Sequence, residues 1–258
     1  MPRLLPVLAS WIVTVTLAGV GVVLASSASS HSNPPARGML DGSDNTLPTS
    51  TVVGPEAPRW VATAIVPSVA AFANPDATTP TEVLANPTPR GGPLVFLVAE
   101  RPATGADRIS VYLPVRPNGS TGWVSTSDVD ITLNPYRIEV AVAAHRLTLW
   151  HEDQVVMEEP IGVGTADTPT PGGTFYVAEL LQPPDPNGPY GPYAYGLSGF
   201  SDVVLDFNGG EGVIGIHGTD DPSAIGADVS RGCIRLPNEA IVELVSFLPL
   251  GTPVEIRR

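Results

Sequence analysis

The residues best suited to covalent chemistry are a cysteine and a histidine that lie close together in the sequence. Cys233 is the only cysteine of the chain, and His217 precedes it by sixteen positions. A thiol nucleophile needs a base, donors for an oxyanion and an open approach for a carbonyl. His217 supplies a base, the backbone N–H groups of Gly232 and Cys233 are candidate donors, and Gly232 leaves the approach open. Ser230 adds a hydroxyl beside the nucleophile. These residues predict acyl transfer through a thioester.

The elements on either side of Cys233 are predicted to hold it rigidly. His217 ends the apolar run 213–216, which predicts a strand, and a turn-rich stretch leads to the cysteine. After the cysteine, Asn238 is predicted to cap a helix rather than to belong to the site, with Glu239 in the first turn. The apolar face of that helix comprises Ala240, Ile241, Leu244, Val245 and Leu248. A loop between a strand and a helix is a typical place for a reactive side chain.

Two segments resemble the signature of the L,D-transpeptidase (YkuD-type) catalytic domain. They are I-H-G-T at 216–219 and S-R-G-C-I-R at 230–235. The segments G-V-G-T at 162–165 and T-P-T-P-G-G-T-F at 168–175 are together similar to a third family motif. The resemblance covers roughly residues 136–258. One departure is Arg231, where the commonest family residue is histidine, so a second histidine is absent as a helper.

The resemblance implies a role for each motif residue. Cys233 is expected to be the nucleophile and His217 the proton donor and acceptor, with Gly232 as an oxyanion donor. A carbonyl of segment 218–219, or Ser230, is expected to orient the imidazole. The implied substrate is a peptidoglycan stem tetrapeptide, which would lose D-Ala and be transferred to an amine of a second stem as a 3→3 cross-link. Carbapenem β-lactams are the implied inhibitors, and no metal or cofactor is implied.

Five further residues are predicted to bind substrate. A polar, aromatic insertion at 181–201 is similar in position to a family flap that covers the cleft. Its tyrosines Tyr190, Tyr193 and Tyr195 are candidates to line the cleft, because they offer flat contacts with a hydroxyl tip. Packing of these tyrosines on the sheet is the alternative. Arg235 would hold a stem carboxylate, or else form a surface ion pair. The predicted substrate-binding residues are Gly218, Arg231, Arg235, Tyr193 and Tyr195.

Other functions stay open at this stage. A sortase-like transpeptidase also uses histidine, cysteine and arginine in that order, although with a wider histidine–cysteine separation. A wall-binding structural protein with an idle catalytic domain is a different class. Carboxypeptidase trimming and attachment of a protein to the wall differ from cross-linking only in the acceptor that reaches the thioester.

Composition excludes several classes. The formal net charge is −13, which disfavours nucleic-acid binding because phosphates would be repelled. A single cysteine rules out an intramolecular disulfide and a zinc site of cysteine type. With 26 glycines, 29 prolines and 15% charged residues, the chain is predicted to be rich in turns and strands.

The N-terminal region predicts export. Residues 4–25 are uncharged and largely apolar, Arg3 precedes them, and small residues follow. Residues 1–28 are therefore predicted to be a signal peptide or an N-terminal membrane anchor, with a run long enough for either. Residues 29–58 are rich in Ser and Pro and predict a disordered linker. The expected location is the cell envelope, membrane-anchored or secreted to the cell wall.

Two folded regions are predicted after the linker, and the fold class is mainly β. Residues 59–134 contain short apolar runs separated by turns, including Asn118-Gly119, which is a strong hairpin signal. They predict a small all-β, SH3-like accessory module, acting as a rigid spacer or as a wall-binding module. Residues 135–258 are predicted to form a β-sandwich-like catalytic domain with one or two short helices, beginning with an alternating strand from Tyr136.

Overall fold

The computed structural model describes residues 59–206 and 210–258. The predicted signal or anchor segment 1–28 and the predicted linker 29–58 lie outside the described residues. Within the described ranges strands predominate and one α-helix occurs, so the mainly-β prediction is confirmed. No helix of these ranges has the length and apolar character needed to cross a bilayer.

The N-terminal module, residues 59–134, is built from seven strands in two small antiparallel sheets. One sheet has the order β4-β1-β7 and the other the order β3-β2-β6-β5. The predicted hairpin at Asn118-Gly119 joins β5 to β6, which pair in antiparallel register. The strands are β1 Arg59–Ala64, β2 Ser68–Phe72, β3 Glu82–Ala85, β4 Val95–Leu97, β5 Arg108–Tyr112, β6 Thr121–Ser125 and β7 Val129–Asn134.

The C-terminal region is organised by one eight-stranded sheet, in the order β10-β9-β8-β17-β12-β13-β14-β16. Strands β11 and β15 form a separate parallel pair. The strands are β8 Tyr136–Ala141, β9 Arg146–His151, β10 Gln154–Pro160, β11 Val163–Gly164, β12 Gly173–Leu181, β13 Ala194–Phe200, β14 Val213–His217, β15 Asp228–Ser230, β16 Ile234–Arg235 and β17 Pro253–Arg257.

Alternation of apolar and polar residues predicts which side chains of strand β8 are buried, but it does not identify strand β13. Strand β8 alternates as predicted, with Ile138 and Val140 buried against the sheet core. The insertion predicted at 181–201 is shorter than expected, because residues 194–200 form strand β13, in which every residue is buried. Its sequence A-Y-G-L-S-G-F lacks alternation because the strand is covered on both faces, so the irregular loop is confined to residues 182–193.

A single α-helix, α1 (Asn238–Phe247), packs against this sheet. Its buried residues Ala240, Ile241 and Leu244 fall on the predicted apolar face, and Leu248 just beyond the helix is also buried. The prediction that Asn238 caps the helix is wrong. The N-cap is Pro237, and Asn238 is the first helical residue, with its side chain engaged elsewhere.

The N-terminal module packs directly on the C-terminal region. Val95 and Leu97 of β4 form an apolar cluster with Tyr176 of β12, which is fully buried. Asn134 at the end of β7 donates from Nδ2 to Thr252 Oγ1 at 2.9 Å, just before β17. All the described residues belong to one contact unit. The predicted boundary at 134/135 stays a prediction, and the contacts join the two regions side by side.

Candidate functional site

The sheet brings together the two residues that the sequence separates by sixteen positions. Strands β14 and β16 are parallel neighbours, and His217 at the end of β14 is in register with Arg235 of β16. Cys233 immediately precedes Ile234 of β16, which is in register with Ile216, so the cysteine and the histidine lie on adjacent strands. A cavity of about 460 Å³ is lined by both Cys233 and His217. A second cavity of about 600 Å³ is also lined by both residues.

A short hydrogen bond fixes the His217 ring. Nδ1 lies 2.6 Å from the carbonyl oxygen of Gly218, and the ring is 5% exposed. A carbonyl oxygen only accepts, so Nδ1 must carry the proton. In a neutral imidazole the lone pair is then on Nε2. Of the two orienting groups that the sequence left open, the Gly218 carbonyl is therefore the one that contacts the ring.

Burial sets the resting charges of the pair. It lowers the pKa of His217 to about 4, with the positive charge of Arg235 acting in the same direction and the Gly218 hydrogen bond opposing both. Burial also raises the pKa of the Cys233 thiol, against a hydrogen bond from the Gly215 backbone and the charge of Arg235. Both shifts favour uncharged groups, so the pair rests as thiol and neutral imidazole at neutral pH. A resting pair of thiolate and imidazolium is disfavoured.

Segment 217–219 is held by close backbone packing. Gly218 is buried against Gly191, and a Cβ placed on Gly218 would lie 2.2 Å from Asn238 Oδ1 and 3.0 Å from Gly191 Cα. Asn238 Oδ1 also accepts from the Thr219 N–H at 2.8 Å. Gly218 therefore orients His217 from a buried position, which disagrees with the prediction that it binds substrate. Nothing in the sequence indicates this use of Asn238 beyond its position as a candidate cap.

The nucleophile loop is fixed by Ser230. Its buried hydroxyl donates to the Cys233 carbonyl oxygen at 2.5 Å and accepts from the Gly232 N–H at 3.1 Å. The expected orienting role thus applies to the cysteine loop and not to the imidazole. The Gly232 N–H is directed at Ser230, so the prediction that it is a free oxyanion donor is not supported. Gly232 has a φ of +112°, a conformation that glycine adopts without strain.

The motif at 162–175 forms the support under this loop. The Ser230 carbonyl oxygen accepts from the Thr165 N–H at 3.1 Å and from Thr168 Oγ1 at 3.0 Å. Gly162 exchanges backbone hydrogen bonds with Arg235 in both directions, at 2.8 and 2.9 Å. The resemblance to the third family motif therefore corresponds to a structural contact with the cysteine loop.

Two predicted substrate-binding arginines lie at the smaller cavity. Arg235 and Arg231 both line it together with Cys233. Arg235 is half-buried, and its Nε is buried without a hydrogen-bond partner among the described residues. Arg231 is exposed. The surface ion-pair alternative for Arg235 is thus less consistent with its surroundings than a place on the cavity wall.

The three tyrosines of the predicted insertion do not all lie at the cleft. Tyr195 is 1% exposed in β13, and its hydroxyl donates to the Leu248 carbonyl oxygen at 3.4 Å, so it belongs to the core. Tyr193 is partly buried and packs against the same core. Tyr190 is the one at the cleft, because it lines both cavities and its ring is edge-on to His217 with centroids 5.0 Å apart. The packing alternative therefore holds for the Tyr195 side chain, although the residue also borders the larger cavity.

Comparisons with known proteins agree with this site. The family model of the L,D-transpeptidase catalytic domain, YkuD, matches residues 135–256. The YkuD relative from Bacillus licheniformis is 42% identical over 122 residues, which are 47% of this chain and 66% of the relative. That from Bacillus subtilis is 40% identical over 124 residues, 48% of this chain and 67% of the relative. The YqjB relative from Bacillus subtilis is 31% identical over 131 residues, 48% of this chain and 71% of the relative.

Solved structures match more weakly over comparable lengths. The Bd1075 structure from Bdellovibrio bacteriovorus is 27% identical with a TM-score of 0.39, and the match covers 48% of this chain and 47% of that chain. The catalytic domain of the Enterococcus faecium L,D-transpeptidase is 24% identical with a TM-score of 0.35, covering 47% of this chain and 96% of that chain. These TM-scores are too low to establish a shared architecture, so the family assignment depends on the sequence matches.

The burial of His217 predicts a specific loss of stability at low pH. The folded-state pKa of about 4 lies below the ordinary histidine pKa of 6.5, so only the unfolded chain gains a proton between these pH values. The stability that depends on neutral His217 is complete above pH 6.5 and falls, by up to about 3 kcal/mol, as the pH decreases through 4. Urea unfolding of the wild type and of His217→Gln should show their difference shrinking over this range. A difference that does not depend on pH would contradict a buried neutral ring.

Proposed function

Because this chain belongs to the L,D-transpeptidase (YkuD) family, we propose that it is a cysteine-dependent acyltransferase acting on peptidoglycan stem peptides. The supporting observation is that Gly218 fixes the tautomer of His217 while His217 and Cys233 line the same two cavities. That arrangement provides a thiol and a neutral base in a site open to a peptide.

The first half-reaction is acylation of the thiol. His217 Nε2 takes the proton from Cys233 as the sulfur attacks a peptide carbonyl of the donor tetrapeptide. We place that carbonyl at the L-centre of the diamino acid in position three. As the tetrahedral intermediate collapses, the C–N bond breaks and the imidazolium returns its proton to the departing amine of D-Ala. His217 is thus base and then acid, and a thioester remains on Cys233.

The second half-reaction reverses these roles. A neutral amine of a second stem attacks the thioester carbonyl and gives a proton to His217. The C–S bond breaks, the thiolate recovers that proton, and a 3→3 cross-link results. Tyr190 covers one side of His217 and borders both cavities, a position from which it limits access of water to the thioester.

Oxyanion stabilisation is assigned here to the backbone of the cysteine loop. Of the two candidate donors, the Gly232 N–H already donates to Ser230 Oγ. We therefore assign the Cys233 N–H as the oxyanion donor. Arg235 and Arg231, on the wall of the smaller cavity, are placed to meet stem carboxylates. The family matches favour this reaction over a sortase-like one, and the intact thiol and base favour it over an idle wall-binding protein.

The acceptor determines which product forms. Transfer to water would give carboxypeptidase trimming, and transfer to a protein amine would attach that protein to the wall. We propose the stem amine as the main acceptor. Product analysis with purified stem tetrapeptides separates the three, since only cross-linking yields a dimer.

Thiol acylation is the sharpest prediction of this function. A carbapenem offers a strained carbonyl, and we expect it to form one stable adduct with the wild type at neutral pH. Cys233→Ala should give neither adduct nor cross-link, and Cys233→Ser should be nearly inactive because a hydroxyl ionises far less readily. His217→Ala should acylate about 10²–10⁴-fold more slowly, as for a lost general base. Because Cys233 is the only cysteine, intact-protein mass spectrometry assigns the adduct directly.

A matched control for the histidine is His151→Ala, which removes an imidazole at the end of β9 that lies against Tyr136. This variant should acylate at the wild-type rate. An unmodified mass for folded wild-type protein after long exposure would overturn the transpeptidase assignment and leave the structural alternative.

We also propose that the protein is exported and acts in the cell envelope, either anchored or secreted. The supporting observation is the uncharged, apolar run at residues 4–25 behind Arg3. Cell fractionation with an antibody to the catalytic region should find the protein in the membrane, wall or medium. Full-length protein confined to the cytosol would contradict this location.

A further inference from the structure

A polar contact joins the N-terminal module to the wall of the cleft. Arg116 and Asn118, from the β5–β6 hairpin, bind the chain that leaves strand β13. We use the term cleft-wall segment for the described residues between β13 and β14, which are 201–206 and 210–212. Four of its residues, or of those directly beside it, line the smaller cavity: Ser201, Val204, Gly212 and Val213.

Arg116 links the two ends of this segment. Its Nη1 donates to the Ser201 carbonyl oxygen at 3.0 Å, and its Nη2 donates to the Glu211 carbonyl oxygen at 2.8 Å. The guanidinium also lies over the Phe200 ring, 4.9 Å from its centroid. A planar guanidinium binds two carbonyls at once with little freedom of orientation. Arg116 therefore holds the start and the end of the segment at a fixed separation.

Asn118 holds the residue at which the segment begins. Its Nδ2 donates to the Phe200 carbonyl oxygen at 2.7 Å, and its Oδ1 accepts from the Phe200 N–H at 2.9 Å. Phe200 ends β13 beyond the last residue that pairs with β12, which is Leu197. The side-chain amide thus replaces the missing neighbouring strand and satisfies both backbone groups of a buried residue.

Hydrogen bonds between residues of the segment also hold it in place. Ser201 is 1% exposed, and its Oγ accepts from the Val204 N–H at 3.0 Å. The Ser201 N–H donates to the Gly212 carbonyl oxygen at 2.8 Å. Since these bonds join Ser201 to both Val204 and Gly212, a shift at Phe200 or Ser201 would be passed to the cavity wall beside Cys233.

We propose, building on the proposed function, that the N-terminal module positions the substrate-binding wall of the active site through Arg116 and Asn118. These are positioning residues, since they contact the wall from outside the cavity. The module therefore acts as part of the catalytic unit, which goes beyond the spacer and wall-binding roles predicted from the sequence. The ligand that this wall would position is the peptide-like acyl donor, bound in the smaller of the two cavities that Cys233 and His217 line.

The chain provides a matched control for Arg116. Arg108, in β5 of the same module, also binds two backbone carbonyls, those of Pro75 and Ala77, through Nη1 at 3.0 and 2.7 Å. Its guanidinium lies 3.7 Å from the centroid of the Phe72 ring. All these contacts stay within the module. Arg108→Ala therefore removes a comparable set of interactions without touching the cleft-wall segment.

The test measures acylation of Cys233 by a carbapenem in folded, full-chain variants, with intact mass as the readout. Arg116→Ala should lower the second-order acylation rate constant roughly tenfold, as expected from a small misplacement of substrate-positioning groups. Arg108→Ala should acylate as the wild type does. Arg116→Lys keeps the charge but lacks the planar fork, so its rate should fall between those of the wild type and Arg116→Ala.

Alkylation by iodoacetamide separates positioning from a general structural effect. This probe is too small to need the wall, so its rate with Arg116→Ala should stay close to that of the wild type. Asn118→Asp provides a second variant that keeps the side-chain shape but loses the donor to Phe200, and it should slow the carbapenem and spare iodoacetamide in the same way.

The possible outcomes distinguish this inference from the proposed function. If the wild type itself is not acylated, the proposed function fails. If the wild type is acylated and Arg116→Ala and Asn118→Asp match it, the positioning role is wrong. Equal losses in Arg108→Ala and Arg116→Ala, or a parallel loss toward iodoacetamide, would also overturn it, because the module would then act only through general stability.

Discussion

The active site depends on one hydrogen bond, from His217 Nδ1 to the carbonyl oxygen of Gly218 at 2.6 Å. It assigns the proton to Nδ1 and leaves the lone pair on Nε2, the nitrogen available to a thiol. The partner is a backbone atom of the next residue, so its position depends on the packing of Gly218 against Gly191 and Asn238. Burial of His217 lowers its pKa to about 4, so the ring is neutral at rest and, once protonated, gives up its proton more readily than an ordinary imidazolium.

The cysteine loop is held by a second, separate set of bonds. Ser230 ties the Gly232 N–H to the Cys233 carbonyl oxygen, and residues of the 162–175 motif bind the Ser230 carbonyl oxygen in turn. On the other side of the cleft the wall is held by the N-terminal module. The base, the nucleophile and the wall are thus positioned by three different parts of the chain, beside strands β14 and β16 at one edge of the large sheet. Such pre-organisation limits the reorganisation needed when the donor carbonyl is attacked.

The sequence predicted the chemistry better than the geometry. Cys233 and His217 were identifiable because the motif places nucleophile, base and small neighbouring residues in a fixed order. Strands β8 and β14 were identifiable from their local patterns. Tyr195 was misassigned because a fully buried strand lacks alternation and resembles a polar, aromatic insertion. Asn238 was misread as a cap because its partner, Thr219, is distant in sequence. The contacts of Arg116 and Asn118 with the cleft wall were not predictable, since they join backbone atoms more than eighty residues away.

The central claim is that His217 is neutral at physiological pH with its proton on Nδ1, and the most direct measurement is ¹⁵N NMR of the imidazole in folded, unligated protein. We expect Nδ1 to show the shift and directly bonded proton of a pyrrole-type nitrogen, and Nε2 the shift of an unprotonated, pyridine-type nitrogen. Asn238→Ala, which removes a contact of the 217–219 segment, should weaken this preference. Protonation on Nε2, or an imidazolium with both nitrogens protonated at neutral pH, would contradict a base that is fixed by Gly218 and ready to accept the thiol proton.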